Sequence, residues 1–247
     1  MFNENEYELT CDWHTHTIYS DGVGTIEDNV KEAVNKGLKS IAITEHGFNH
    51  FLNGVKRSKI AEMKTEIERL RKIYPIEILL GIEANLISYE GDIDLTQEEC
   101  KLFDVINMGL HRAIICKHWY NGFNFWLRNY FWNTRRHSEK LTRSYILAMQ
   151  KYSITTLVHL HDLKRVIVKP IAEEAVKQNV FIELNSKRIY FNQQEIDDMK
   201  EAGANYIINS DAHRPIRVGE YQIIKDFLQK YDFPIDKIVN LKKKNTK

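Results

Sequence analysis

The chain has 247 residues, of which 43% are hydrophobic, enough to bury a sizeable core. Its 35 lysines and arginines balance 34 aspartates and glutamates, so the net charge of +1 gives no reason to expect nucleic acid as an obligatory partner. No apolar run approaches the roughly 18 residues of a transmembrane helix, and the N-terminus lacks the apolar region of a signal peptide. Three cysteines, Cys11, Cys100 and Cys116, form neither an even disulfide set nor a zinc motif. These features predict a cytoplasmic protein with no membrane association.

Short β-rich runs alternate with amphipathic helical patterns along the chain. In chain order, the predicted elements are strand Glu8–Asp12, helix Thr25–Lys36, strand Ser40–Thr44, helix Ser58–Ile73, strand Ile76–Leu80, strand Phe103–Met108, helix Ser138–Lys151, strand Thr155–Val158, helix Ile171–Gln178, strand Val180–Leu184, helix Gln193–Ala202 and strand Tyr206–Asn209.

The order of these elements predicts an α/β fold. Thr25 followed by Asp28 is typical of a helix N-cap, and Gly37 and Gly203 stand where helices would end. Alternating strands and helices imply parallel strands joined by crossovers. Seven such units favour a closed or nearly closed barrel, one unit short of the usual eight, but an open doubly wound sheet has the same alternation. The periodicity does not separate the two.

The segment from about 112 to 136 interrupts this alternation. It holds three of the four tryptophans and many other aromatic residues, without a clear period. We expect an insertion after the fourth strand, either helical and packed on the barrel or serving as a lid or oligomer contact.

Histidines and carboxylates follow the predicted strands. The residues that stand at or just after strand ends are His14, His16, His46, Glu83, His111, His159, Glu183, Asp211 and His213. A single histidine in such a place is usually an ordinary surface or capping residue. Because parallel strands of a barrel point their carboxyl ends to one face, this whole set would converge there.

The residue types in this set indicate a metal site. Imidazole nitrogens and carboxylate oxygens suit Zn²⁺, Mn²⁺ or Fe²⁺. His14 and His16 stand two residues apart, so both rings would point to the same side of a strand. The chain contains neither a GxSxG nucleophile motif nor a phosphate-binding GxxxxGK[ST] loop. A multinuclear metal site is therefore the best interpretation.

These motifs resemble those of the PHP (polymerase and histidinol phosphatase) family. The matching motifs run in the family's order over about residues 8–240: DWHTHT with SDG, ITEHG, GIEAN, GLH, the histidine at position 159, ELN and SDAH. The resemblance implies a distorted seven-stranded TIM-like barrel as a single domain over residues 1–247. It also implies three divalent metal ions and the hydrolysis of phosphoesters.

The resemblance assigns metal ligands residue by residue. The first metal would bind His14, His16, Glu83 and Asp211, and Glu83 would bridge to a second metal that His111 and His159 complete. His46 and His213 would hold the third. Some family members place a further histidine after the first strand for this third metal, and here Asp21 is the candidate. Glu45 would support the site without ligating, and His161 is a rival to His159 as a ligand.

The resemblance also implies a mechanism. A metal-bridging hydroxide would attack phosphorus, because two divalent ions lower the pKa of a shared water. Arginine suits phosphate because its planar fork donates two parallel hydrogen bonds, and Arg112, Arg188 and Arg217 follow the motifs. His161 or Asp162 is the candidate proton donor to the leaving oxygen.

The expected substrate is a small phosphorylated metabolite, of which histidinol phosphate is one example. A nuclease or phosphodiesterase and a non-catalytic metal-binding barrel are the alternatives, with amidohydrolase-like chemistry a more distant one. The balanced charge and the absence of basic stripes argue against a long nucleic acid substrate. The sequence leaves the oligomeric state open.

Overall fold

The computed structural model describes residues 2–115, 125, 127 and 134–244. The strands in this part of the chain are β1 (Tyr7–Leu9), β2 (Cys11–Thr15), β3 (Ser40–His46), β4 (Glu77–Asn85), β5 (Val105–Gly109), β6 (Thr156–Leu157), β7 (Phe181–Asn185), β8 (Tyr206–Asn209) and β9 (Leu241–Lys243). The helices are α1 (Ile26–Asn35), α2 (Ile60–Arg71), α3 (Gln97–Cys100), α4 (Arg135–Lys151), α5 (Val168–Gln178), α6 (Gln193–Ala202) and α7 (Gln222–Lys230).

Strands β2 to β8 form one parallel sheet in which neighbours in space are also neighbours in sequence. An open doubly wound sheet would instead reverse its strand order at a switch point. The two edges of the sheet meet where Thr15 bridges Ala212, and the His16 amide donates to the Ala212 carbonyl at 2.8 Å. The structure therefore confirms a nearly closed, distorted seven-stranded barrel.

The first predicted strand, Glu8–Asp12, is two strands in the structure. β1 leaves the barrel and pairs antiparallel with β9, while β2 starts the barrel two residues later. Between them, the amide of Thr10 donates to the carbonyl of Asn240 at 2.9 Å. A fully buried Asp12 then joins β2 to the segment after β8, because it accepts hydrogen bonds from Ser210 and from the Gly219 amide.

The helix signals in the sequence are confirmed. Thr25 and Asp28 form a reciprocal capping box at the start of α1. Gly37 and Gly203 follow α1 and α6 with positive φ, at 76° and 75°. In the described part of the chain, no helix is long and apolar enough to cross a membrane.

Most of the aromatic segment lies outside the described residues, so the insertion predicted for about 112–136 stays a prediction. Two points of it are defined. Phe125 is buried with its ring 4.8 Å from that of Tyr89. At the start of the segment, Ile114 bridges His50 in the loop that follows β3.

Candidate metal centre

All nine residues predicted as metal ligands meet at the carboxyl end of the barrel. They fall into four overlapping groups, in each of which one ligand atom per residue lies within 4.8 Å of the others. The groups are His14–Glu83–His159, His14–His16–Asp211, His46–Glu83–His111 and His16–Asp21–His46–His213. The shared members make these groups a single cluster.

Glu83 lies at the centre of the cluster. Its Oε1 is 2.6 Å from His159 Nε2, 3.0 Å from His111 Nε2 and 3.3 Å from His14 Nε2. Its Oε2 is 2.7 Å from His46 Nδ1. Four rings from four different strands therefore face one buried carboxylate, which is the arrangement expected of a bridging ligand.

Two aspartates complete the cluster on either side. Asp211 Oδ1 lies 3.4 Å from His16 Nε2, and Asp21 Oδ1 lies 3.4 Å from His46 Nε2 and 3.3 Å from His213 Nε2. The other oxygen of Asp21 accepts a hydrogen bond from the Asn53 amide at 2.9 Å, which holds the carboxylate in place. The loop after β2 thus brings Asp21 to the two histidines with which it was expected to act.

The backbone turns sharply at two of these residues. His159 and Asp211 have φ values of 34° and 52°, in the left-handed region that residues other than glycine rarely adopt. Such strain persists only where the surrounding structure enforces it, and it concentrates at functional sites. Here each turn follows directly on a strand and directs a side chain into the cluster.

The charges of the cluster shift its pKa values in both directions. Burial alone would lower the pKa of His14, but Glu183, Glu83 and Asp211 outweigh it and hold this pKa well above its ordinary value. Burial and the nearby His46 lower the pKa of His16 to about 3. Burial opposes ionisation of Glu83, yet the histidines around it hold its pKa well below the usual range. The cluster is therefore built around ionised carboxylates.

The donor set fits divalent cations. Among the described residues, several buried atoms of the cluster make no hydrogen bond of acceptable geometry: His14 Nε2, both ring nitrogens of His16, Asp21 Oδ1, His46 Nδ1 and Glu83 Oε2. Buried polar atoms without partners cost free energy, so proteins rarely leave them in this state. Their clustering, at the atoms that also form the four groups, points to metal ligation.

A second layer of polar residues orients the rings. Asn85 Oδ1 contacts His111 Nδ1 at 2.7 Å, and Asp94 in turn accepts from the Asn85 side chain at 2.6 Å. Glu45 accepts hydrogen bonds from Thr17 and Ser20 in the loop that leads to Asp21. Burial raises the pKa of Glu45 to about 7.

A cavity of about 150 Å³ opens onto the cluster, and two basic residues line it. Arg188, one of the three predicted arginines, pairs with Asp162 at 2.7 Å, and both line the cavity. Lys187 was not predicted, although it follows the end of β7 directly before Arg188; its Nζ lies 3.2 Å from Asp211 Oδ1.

Three expected residues are placed elsewhere. Arg112 is exposed and does not line the cavity, and Arg217 pairs with Glu220 at 2.8 Å, also outside the lining. His161 points its Nε2 at Glu195, 3.1 Å away, while its Nδ1 accepts from the Val166 amide. It belongs to none of the four ligand groups, because the loop after β6 turns its ring away from the cluster.

A comparison with family models identifies the chain. The PHP domain model matches residues 12–187, which is more than half of the chain. The chain belongs to the PHP domain family. This confirms the family that the strand-end motifs indicated.

The relatives agree with the PHP assignment. A protein of Citrobacter koseri named "Probable phosphatase" is 26% identical over 253 residues, covering 93% of this chain and 89% of the relative. The histidinol phosphate phosphatase of Lactococcus lactis, solved with zinc, L-histidinol and phosphate, has a TM-score of 0.58 at 17% identity and covers 90% of this chain and 91% of its own. A chain in archaeal ribonuclease P bound to mature tRNA has a TM-score of 0.53 at 11% identity, covering 91% and 84%. The two solved structures show a shared fold.

Proposed function

We propose that this protein is a metal-dependent phosphatase that hydrolyses small phosphate monoesters. Membership of the PHP family, together with curated relatives named as phosphatases, supports a phosphoric ester hydrolase. The observation that carries the proposal is the convergence of nine ligand-type side chains from six strand ends in one cluster, six of which line a small cavity together with two cations.

The four groups suggest how three metal ions would be shared. The first site would take the group His14, His16 and Asp211 together with Glu83, which lies 3.3 Å from His14 Nε2 and 3.7 Å from His16 Nε2. The second would take Glu83 with His111 and His159, whose Nε2 atoms lie 3.0 and 2.6 Å from Glu83 Oε1. The third site takes Asp21, His46 and His213. Divalent ions held there would lower the pKa of a water molecule and would place positive charge opposite the phosphoryl oxygens.

The residues at the cavity wall would bind and orient the phosphate group. Lys187 and Arg188 are held at the wall because Asn185 Oδ1 accepts from both of their backbone amides, at 2.8 and 3.2 Å. Asp162, held by Arg188, is the candidate that places a proton on the leaving oxygen. Lys187 faces the side of the cluster formed by Asp211 and His213.

The size of the cavity favours a small substrate. Sites for drug-sized ligands usually have about 300–1,000 Å³, whereas this one has about 150 Å³. Histidinol phosphate is the first metabolite to test, because a histidinol phosphate phosphatase shares the fold. An open groove lined by Lys117, Arg128, Arg135 and Arg136 would instead favour a polymer, and Lys117 and Arg128 lie outside the described residues.

The proposal is tested by comparing an aryl phosphate monoester with the matching diester, using protein loaded with Zn²⁺ or Mn²⁺. We expect turnover of the monoester, with at least a hundredfold loss in Asp211→Ala, because this variant removes an anionic ligand. Glu174→Gln is the matched control, since Glu174 is buried in α5 and its partners are the side-chain amides of Gln150 and Gln178 and the Lys177 ammonium, none of which belongs to the cluster.

The alternatives give different results in the same assay. Turnover of the diester alone would indicate a phosphodiesterase or nuclease. Tight metal binding without turnover of either ester, or of histidinol phosphate, would contradict the phosphatase proposal and favour a non-catalytic metal-binding barrel.

A further inference from the structure

Glu183, in β7, is buried and accepts four hydrogen bonds. Its Oε1 faces His14 Nδ1 at 2.8 Å and accepts from the side-chain amide of Asn209 at 3.0 Å. Its Oε2 accepts from the backbone amide of His159 at 2.8 Å and from the side-chain amide of Asn185 at 2.9 Å. Both oxygens are therefore fully engaged by donors, so this carboxylate contacts two of the proposed metal ligands without being one itself.

The contact with His14 determines which ring nitrogen carries the proton. A carboxylate can only accept, so the neutral ring must keep its hydrogen on Nδ1 and leave the lone pair on Nε2. Nε2 is the atom that faces Glu83 at 3.3 Å and Asp211 at 3.8 Å. Glu183 thus presents the free nitrogen of His14 to the ligand cluster.

The contact with His159 holds a strained backbone. His159 has a φ of 34°, and its amide would lose its partner without the Glu183 oxygen. In this conformation its Nε2 reaches to 2.6 Å from Glu83 Oε1. One carboxylate therefore controls His14 through its ring and His159 through its backbone, although the two histidines come from different strands.

We propose that Glu183 is a positioning residue shared by the first and second metal sites, because it contacts His14 of the first site and His159 of the second; this inference rests on the metal centre proposed above. Metal-bound histidines generally donate their second ring N–H to a carboxylate or carbonyl, and loss of that partner costs ten- to a hundredfold in metal affinity. Here the same carboxylate also holds a second proposed ligand, His159, through its backbone amide.

Glu183→Gln tests this because glutamine has the same shape but only one oxygen. If its NH₂ group faces His14, the ring must shift its proton to Nε2, the atom that would bind the metal. If its NH₂ group faces His159, two N–H donors oppose each other. Either orientation disrupts one of the two ligands, so the variant impairs the site even when the barrel is intact.

The experiment measures Zn²⁺ stoichiometry and affinity by competition with a chromophoric chelator, for wild type, Glu183→Gln and the buried control Glu174→Gln. We expect at least tenfold weaker binding of one Zn²⁺ in Glu183→Gln, with the remaining sites and the control unchanged. Equal affinity at every site in Glu183→Gln would overturn the proposal. Wild type that binds no Zn²⁺ would instead overturn the metal centre itself.

A second measurement uses wild type alone and does not depend on the variant folding. In the Zn²⁺-loaded protein, ¹H–¹⁵N correlation of the histidine rings is expected to show His14 with its hydrogen on Nδ1 and its Nε2 bound to metal. A hydrogen on Nε2 of His14 would contradict the inference.

Discussion

At the scale of single residues, the neighbouring side chains determine the pKa and the binding properties of each site residue. Asp21 shows this most directly, because only its place in the SDG motif made it a candidate ligand. Burial opposes its ionisation, but the neighbouring imidazoles of His213 and His46 hold its pKa well below the usual range. An ionised carboxylate between two imidazoles can bind a cation, because the carboxylate supplies negative charge and each imidazole can supply a nitrogen lone pair.

Replacing Asp21 with alanine should therefore remove one metal ion and leave two. The first and second sites use none of its atoms, so their occupancy should persist. Metal content per chain, measured by mass spectrometry of the dialysed protein, checks this. Loss of all metals together, or of none, would show that Asp21 does not hold the third ion.

Replacing Lys187 with alanine should weaken phosphate binding. Its Nζ lies 3.2 Å from Asp211 and 3.0 Å from His213 Nδ1, so it faces the reacting side of the cavity. We expect inhibition by inorganic phosphate to weaken about tenfold, equivalent to about 1.4 kcal/mol. Lys169→Ala, which removes an exposed pair with Glu201, is the control. An unchanged inhibition constant would exclude Lys187 from phosphate binding.

Cys11 should make stability fall at high pH. Burial, and then the negative charge of Asp12, raise the pKa of its thiol from 9 to about 12. The folded state therefore keeps a proton that the unfolded chain loses above pH 9. The stability gained from the protonated thiol is complete below pH 9 and is lost as pH rises toward 12, by up to about 1.4 kcal/mol per unit.

Urea unfolding between pH 9 and 11 checks this against Cys11→Ala. The wild-type free energy of unfolding should decline more steeply with pH than that of the variant. The buried tyrosines contribute equally to the pH dependence of the free energy of unfolding in both proteins, so their effect cancels when wild type and variant are compared. Parallel declines would mean that the Cys11 thiol does not titrate with folding.

At the scale of elements, capping residues mark the starts of some helices but do not decide which helices the sequence reveals. The capping boxes at Thr25 and Asn192 begin α1 and α6 within a residue of the predicted starts. Helix α7, which has no side-chain cap at Tyr221, was not predicted, and neither was the short helix α3, although Thr96 and Glu99 form a capping box at its start. The apolar face of α7 packs into the core through Ile224, Phe227 and Leu228. Strand β9, which lies in the lysine-rich tail, was not predicted either.

The end of α5 offers a test of backbone strain. Asn179 ends this helix in the left-handed conformation, with φ of 55°. Asparagine tolerates that region because its short polar side chain can hydrogen-bond locally, whereas alanine has the same Cβ clash without that compensation. Asn179→Ala should lower the free energy of unfolding by about 1 kcal/mol, and Asn179→Gly should lower it much less. Chemical denaturation of both variants checks the order; equal loss in the two would exclude strain as the cause.

At the scale of the whole molecule, the cluster joins strands that are far apart in sequence. Glu83 in β4 contacts histidines from β2, β3 and the loops after β5 and β6. The same end of the barrel carries the closing contacts between β2 and β8. Cations bound there would therefore tie together both halves of the sheet.

Removing the metal ions with a chelator should lower the melting temperature. A ligand that binds only the folded state stabilises it by about 2.7 kcal/mol at 100 times its Kd. For a chain of this size, that corresponds to roughly 5–10 °C for each filled site. Calorimetry with and without chelator checks this, and Asp211→Ala should show a smaller difference. Equal melting temperatures would argue against tight metal sites.

The sequence by itself determined the alternation of strands and helices, the family and the nine ligand candidates, because hydrophobic period and residue type are local properties. Only the tertiary structure decided that the barrel closes, that Asp21 reaches His46 and His213, and that His161 turns away to Glu195. It also decided that Lys187 and Arg188 face the cavity while Arg112 and Arg217 do not. The direction of a side chain beyond a strand end depends on the turn that follows and on hydrogen bonds from distant segments, such as those of Glu183. No local pattern encodes these contacts.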